Sequence, residues 1–120
     1  MAGTVTVTEE TVGSIKKIKF AWTASAGGAA DGATTNTYNG AVQRLVTVPD
    51  SGTAPTNAYD ITVADEDGTD VLMGAGADRS STNTEQVLAS SLGVVANDTL
   101  TIHVTNAGSG GKGVTYLYIR

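Results

Sequence analysis

Apolar and polar positions alternate along most of the chain. In TVTVTEE, Val5 and Val7 fall on one side of an extended strand, and Thr4, Thr6 and Thr8 fall on the other. That period of two marks a half-buried strand. Beyond Gly13, Ile18, Phe20 and Trp22 share one parity against Lys19, Ala21 and Thr23. Ile15 sits out of phase, and a bulge near Lys16–Lys17 would restore it. Val42, Val46 and Val48 mark a further strand, which Pro49 ends because proline has no N–H to give to a ladder. YDITVAD and TDVLM read as two strands, and EQVLA as a short one. After a turn at Ala96–Asn97–Asp98, Leu100, Ile102 and Val104 share a face, and VTYLYIR is the last strand. Ser25–Gly40, Gly74–Thr84 and the glycine-rich AGSGGKG carry no period and read as loops. STNTEQVLASSL is the one helix candidate, and it has too few apolar residues to bury a helical face. The pattern predicts an all-β chain: an antiparallel β-sandwich (jelly-roll-like) or a small barrel of eight or nine short strands. Residues 1–120 form a single domain on the length prior.

The segment from Tyr59 to Gly74 concentrates Asp60, Asp65, Glu66, Asp67 and Asp70. A two-residue hairpin loop at Asp67–Gly68 would set Asp65 against Asp70, and like charges in that position repel. A three-residue loop, Glu66–Asp67–Gly68, places Gly where φ is positive. Asp65 then faces Thr69, Val63 faces Val71 and Ile61 faces Met73, with the carboxylates at a solvated tip. An EF-hand is excluded, since DEDGTDVLMGAG puts glycine at its fourth and twelfth positions and not at the sixth, with no terminal glutamate. A weaker Ca²⁺ site from Asp65, Asp67 and Asp70 is the alternative. A glycosidase pair needs one buried carboxyl and a fixed separation, which a solvated tip does not supply.

Composition narrows the chemistry. The chain has no cysteine, which excludes disulfides, thiolate metal sites and a thiol nucleophile. Its formal net charge of −5 disfavours nucleic acid as a partner. No apolar run is long enough to cross a bilayer as a helix, and no N-terminal segment reads as a signal peptide. Folding in a cytoplasm is the expectation. His103, the single histidine, lies on the parity opposite Leu100, Ile102 and Val104 and reads as a half-exposed strand residue. There is no G-x-S-x-G elbow. NAGSGGKG lacks a phosphate-loop pattern, because Gly113 and a strand follow Lys112. No enzyme activity and no cofactor are expected.

The remaining candidates concern contact with other molecules. Lys16, Lys17 and Lys19 suit either an acidic partner or the protection of an edge strand. Tyr116 and Tyr118 share one parity opposite Leu117 and Ile119. They suit an interface, and a two-sided central strand equally. Tyr38 and Asn39 in the first long loop, and Asp78 and Arg79 in the second, are the other contact candidates.

PTNAYDITVADEDGTDVLMGAGADRSSTNTEQV resembles a segment of small structural proteins from tailed bacteriophages and prophages. The matching positions are Pro55, Thr56, Tyr59, Asp60, Ile61, Thr62, Asp65, Asp67, Gly68, Asp70, Val71 and Leu72, then Arg79 and Glu85–Gln86–Val87. The opening TVTVTEE, IKFAWTA and the closing VTYLYIR look similar to the same group. The resemblance implies a virion component, best fitted by a capsid decoration or cement protein. It would bind the major capsid protein and neighbouring copies of itself as a homotrimer, stabilise capsomer contacts, and reside in the virion without touching nucleic acid or membrane. A tail, baseplate or fibre component, with a carbohydrate-binding role, is the alternative.

Overall fold

A computed structural model describes residues 3–120. Nine antiparallel strands follow in chain order: β1 Thr4–Val12, β2 Ile15–Thr23, β3 Ala30–Ala33, β4 Tyr38–Pro49, β5 Asp60–Ala64, β6 Glu85–Leu88, β7 Val94–Asp98, β8 Thr101–Thr105 and β9 Lys112–Ile119. They form two sheets. The larger runs β1-β2-β9-β4-β6, with β7 pairing the first part of β4, and the smaller runs β3-β8-β5. A 3-10 turn, Ala89–Ser91, separates β6 from β7. The sheets face one another as a sandwich.

The core lies between them. The large sheet contributes Ile18, Phe20, Trp22, Val42, Leu45, Leu117 and Ile119; the small one contributes Ala30, Ile61, Val63, Ile102 and Val104. Trp22 and Tyr59 are buried against each other, with ring centroids 5.3 Å apart at 55°, a tilted geometry that suits the ring quadrupoles. The Trp22 Nε1–H donates to Thr115 Oγ1 at 3.3 Å. Gly113 pairs across from Trp22, and a Cβ there would meet the indole. Glycine is the residue that lets the ring lie under β9.

Several expectations are corrected. Ser25–Gly40 is not one structureless loop, because β3 and the start of β4 fall within it. Its inward positions, Ala30 and Gly32, are small because β1 lies close above; a Cβ on Gly32 would collide with Val5. No bulge interrupts β2, whose register with β1 and β9 is unbroken, so Ile15 lies on the outer side with Lys17 and Lys19. The bulge sits in β4 instead, between Val42 and Arg44. It brings Leu45 inward with Val42 and turns Val46 and Val48 outward. The turn expected at Ala96–Asn97–Asp98 is still strand. Ala96 and Asp98 pair with Asn39 and Tyr38, and Asn97 bulges at φ 57.

The acidic hairpin keeps its expected register through Ala64 opposite Asp70. The Asp65 N–H donates to Thr69 O and the Val71 N–H to Val63 O, at 3.0 and 2.8 Å. Gly68 has φ 83, as the three-residue loop requires. The second arm, expected as the strand TDVLM, is not a strand: beyond the Asp70 bridge the chain turns. Met73 and Gly74 take φ 53 and 82, and the Ile61 N–H donates to Gly76 O and not to Met73. Met73 is left 70% exposed.

Candidate binding face

The register of the large sheet fixes which side chains share its outer surface. One row runs Glu10, Lys17, Tyr118, Arg44, Leu88, and the next runs Thr8, Lys19, Tyr116, Val46, Gln86. A third runs Thr6, Ala21, Val114, Val48. Outward positions of a sandwich strand are ordinarily polar. Here the central strands β9 and β4 turn Tyr118, Tyr116, Val114, Val46 and Val48 outward, and Leu88 at the sheet margin is 73% exposed.

Cations are laid across the rings. Lys17 Nζ is 5.2 Å from the Tyr116 centroid and 5.9 Å from that of Tyr118, and the Arg44 guanidinium is 5.3 Å from Tyr118 on its other flank. Such contacts are worth about 0.5–1 kcal/mol each at exposed sites, enough to bias the side chains towards lying on the rings. The Arg44 Nε–H also donates to Gln86 Oε1 at 2.9 Å. Lys112 pairs beside Thr23, at the far end of this surface, where a trough of about 590 Å³ is lined by Thr4, Thr6, Thr23, Asp50, Lys112 and Val114 among others. The surface therefore carries Lys17, Lys19, Arg44 and Lys112, four of the seven Lys and Arg residues, against Glu10 and Asp50. Most of the acidic residues lie elsewhere.

The structure separates the expected contact residues. Tyr116 and Tyr118 are half-buried on this outer face. Tyr38 is only 4% exposed, and its hydroxyl donates to Glu9 Oε1 at 2.7 Å. Burial and this carboxylate push its ionisation far above the ordinary tyrosine value. Asn39 latches neighbouring strands, its side-chain oxygen accepting from the Asn97 N–H at 2.7 Å and its carbonyl from Lys16 Nζ at 3.1 Å. The Asp78 N–H donates to Asp60 Oδ1 at 2.9 Å. This bond, with one from Asn106, holds the Asp60 carboxyl below its usual value. Arg79 bridges Tyr59 through its backbone and lies 3.8 Å from Glu85. Of these four only Tyr38 is buried; Asn39 and Asp78 are exposed and Arg79 is half-buried, each tied to the fold by the bonds above.

The lysines were readable as edge protection, but β2 lies between β1 and β9, so Lys17 and Lys19 belong to a sheet face. Arg44 was missed altogether, because the β4 bulge hides its parity. The signal available was the paired Tyr116–Tyr118 parity, which matches Lys17 and Lys19 once the two strands are set side by side.

Asp65 and Asp70 are engaged by backbone amides. Asp65 Oδ1 accepts from the Asp67 and Thr69 N–H groups, both at 3.0 Å. Asp70 accepts from Val63, Leu72 and Gly74 at 3.0, 3.1 and 3.0 Å. Among the described residues, no group of three or more His, Asp or Glu side chains is placed to hold a metal ion. Asp98 lies near the acidic tip. Desolvation and the charges of Asp65, Glu66 and Asp67 raise its carboxyl pKa. On the outer side of the small sheet, His103 Nδ1 lies 2.6 Å from Asp31 Oδ1, both exposed.

No protein-family model matches the chain, and no curated protein does. Among solved structures, FLHE is similar over 88% of this chain and 97% of its own, at 7% identity and a TM-score of 0.43. A low-affinity xylan-binding module from Roseburia intestinalis is similar over 97% of this chain and 84% of its own, at 8% identity and a TM-score of 0.39. Likeness this distant carries no functional argument.

Proposed function

We propose that this chain is a non-enzymatic binding protein whose working surface is the outer face of the large sheet. In its biological setting it is a structural component of a bacteriophage particle, a decoration protein seated on the major capsid protein. The observation that carries the binding reading is the tyrosine pair of β9 flanked by Lys17 and Arg44. Tyr and Arg, with Trp, are enriched at interface centres, while Lys and acidic residues are depleted there, so the reading rests on Tyr116, Tyr118 and Arg44. The face joins those features to outward-turned apolar groups, of which Leu88 is exposed, on a chain whose overall charge has the opposite sign. Its partner surface is acidic, so binding weakens as salt screens the charges. The phage assignment is supported by the sequence resemblance around Tyr59–Leu72.

Co-sedimentation with purified empty capsids tests this reading. Wild-type chain is expected to pellet with them in near-stoichiometric amounts. Absence from the pellet at low salt would reject the decoration role. A second reading, carbohydrate binding on a tail or fibre, draws on the hydroxyl-lined trough beside Val114. Signal on a glycan array, abolished by Thr6→Val together with Thr23→Val, is the outcome that would favour it.

A further inference from the structure

The edges of the two sheets differ in how their unpaired backbone groups are handled. An open edge is a template for another chain, and natural sheets blunt edges with breaks, bulges, charges or covering segments. The β6–β7 edge is broken by the Ala89–Ser91 turn and by the Asn97 bulge. The β5 edge is covered by the segment that follows it, through Ala64 with Asp70, Ile61 with Gly76 and Tyr59 with Arg79. The β3 edge is four residues long. The β1 edge has no break or bulge, and its only charges, Glu9 and Glu10, lie towards one end. It runs nine residues, Thr4–Val12, in unbroken register with β2. It holds no Lys, Arg, Pro or Gly. Among the described residues its backbone makes no hydrogen bond outside that ladder.

We infer that β1 pairs with the β1 strand of a second copy of this chain, antiparallel across a two-fold axis. The sequence of β1 complements itself in that arrangement. A pairing centred on Val7 sets Val7 against its own copy, Thr6 against Thr8 and Thr4 against Glu10, keeping inward residues opposite inward ones. Antiparallel pairing keeps the Glu9–Glu10 ends of the two copies apart, whereas parallel pairing would stack them, at an electrostatic cost. Glu9 is already committed to its own chain, accepting from Thr35, Asn36 and Tyr38. An isologous contact of this kind closes on itself. It joins the two large sheets into one and puts both tyrosine–cation faces on the same side. A partner with repeated sites would then be gripped twice, with the gain in avidity that linkage brings.

The test needs no capsid, so it is independent of the function proposed above. Light scattering on the full chain is expected to give a dimer mass, and amide hydrogen exchange is expected to show slow exchange at every residue from Val5 to Glu9. A lone edge strand would instead alternate slow and fast amides along the same stretch. A monomer mass with alternating exchange overturns the inference, as does a trimer. Thr6→Pro and Val7→Pro probe the two amide directions separately. The variant whose lost N–H points away from β2 should stay folded by circular dichroism and become monomeric. A dimer persisting in both variants overturns the inference, and if neither folds, the wild-type exchange pattern decides.

Discussion

Asp70 shows how a charge run becomes structure. Its carboxylate holds three backbone amides that the turn after Val71 leaves without ladder partners, while Asp67, at the tip of the loop, is exposed. Asp70→Ala should therefore cost roughly 2–3 kcal/mol, the scale of hydrogen bonds to a charged group. Asp67→Ala should stay within about 0.5 kcal/mol, as exposed substitutions do. Urea denaturation of both variants checks the contrast, and equal effects would refute it. Glu9 acts in the same way on the other side of the molecule. Burial alone would raise its pKa, but hydrogen bonds from Tyr38, Thr35 and Asn36 outweigh burial and hold it below its ordinary value. A depressed folded pKa stabilises above the unfolded value and is lost as pH falls through the folded one. Stability should begin to fall below about pH 4.5, the ordinary glutamate value. Thermal melts across that range should show a shallower slope in Glu9→Gln. The tip of the acidic hairpin was legible because Gly68 and charge repulsion fix the loop. The roles of Asp70 and Glu9 were not, since nothing in a residue's type says which distant amides it will meet.

Most of the strands were legible because alternation survives wherever one face is buried. The failures have specific causes. In β3 the inward residues are Ala and Gly, demanded by the close approach of β1, and small residues carry no hydrophobic period. In β4 one extra residue reverses the parity. That bulge yields a direct contrast. Leu45→Ala should cost about 2–5 kcal/mol as a buried truncation, whereas Val48→Thr, half-exposed on the outer face, should cost far less. The opposite order in denaturant titrations would mean that β4 runs without the bulge. Gly113→Ala tests the β2–β9 contact in the same experiment. Its new methyl group meets the Trp22 ring, and overpacking of this kind typically costs about 1–3 kcal/mol, accompanied by a change in tryptophan fluorescence.

For the whole molecule, the feature that matters is the segregation of charge. The large sheet gathers cations on rings, and the opposite hairpin end gathers Asp65, Glu66, Asp67 and Asp98. On the function proposed here, a chain with a formal charge of −5 would meet an acidic partner with one face only, which would orient it before contact. None of this was visible from composition, which reports the sum and not its distribution. The lysine cluster and the tyrosine pair were both noticed in the sequence as separate features. Only the pairing of β2 with β9 makes them one surface. Lys17→Glu combined with Arg44→Glu should leave the fold intact and abolish the salt-sensitive part of binding, measured as co-sedimentation with empty capsids across a salt series. A salt response unchanged in that variant would place the basic contact elsewhere.

The most direct test of the binding face is co-sedimentation of the wild type and a Tyr116→Thr/Tyr118→Thr variant with empty capsids at fixed salt. Threonine keeps the strand propensity of β9, so circular dichroism and melting should confirm a folded variant. Wild type in the pellet, with the folded variant left in the supernatant, is the predicted result. A folded variant that pellets as well as the wild type would show that the tyrosine–cation face is not the surface through which this protein binds.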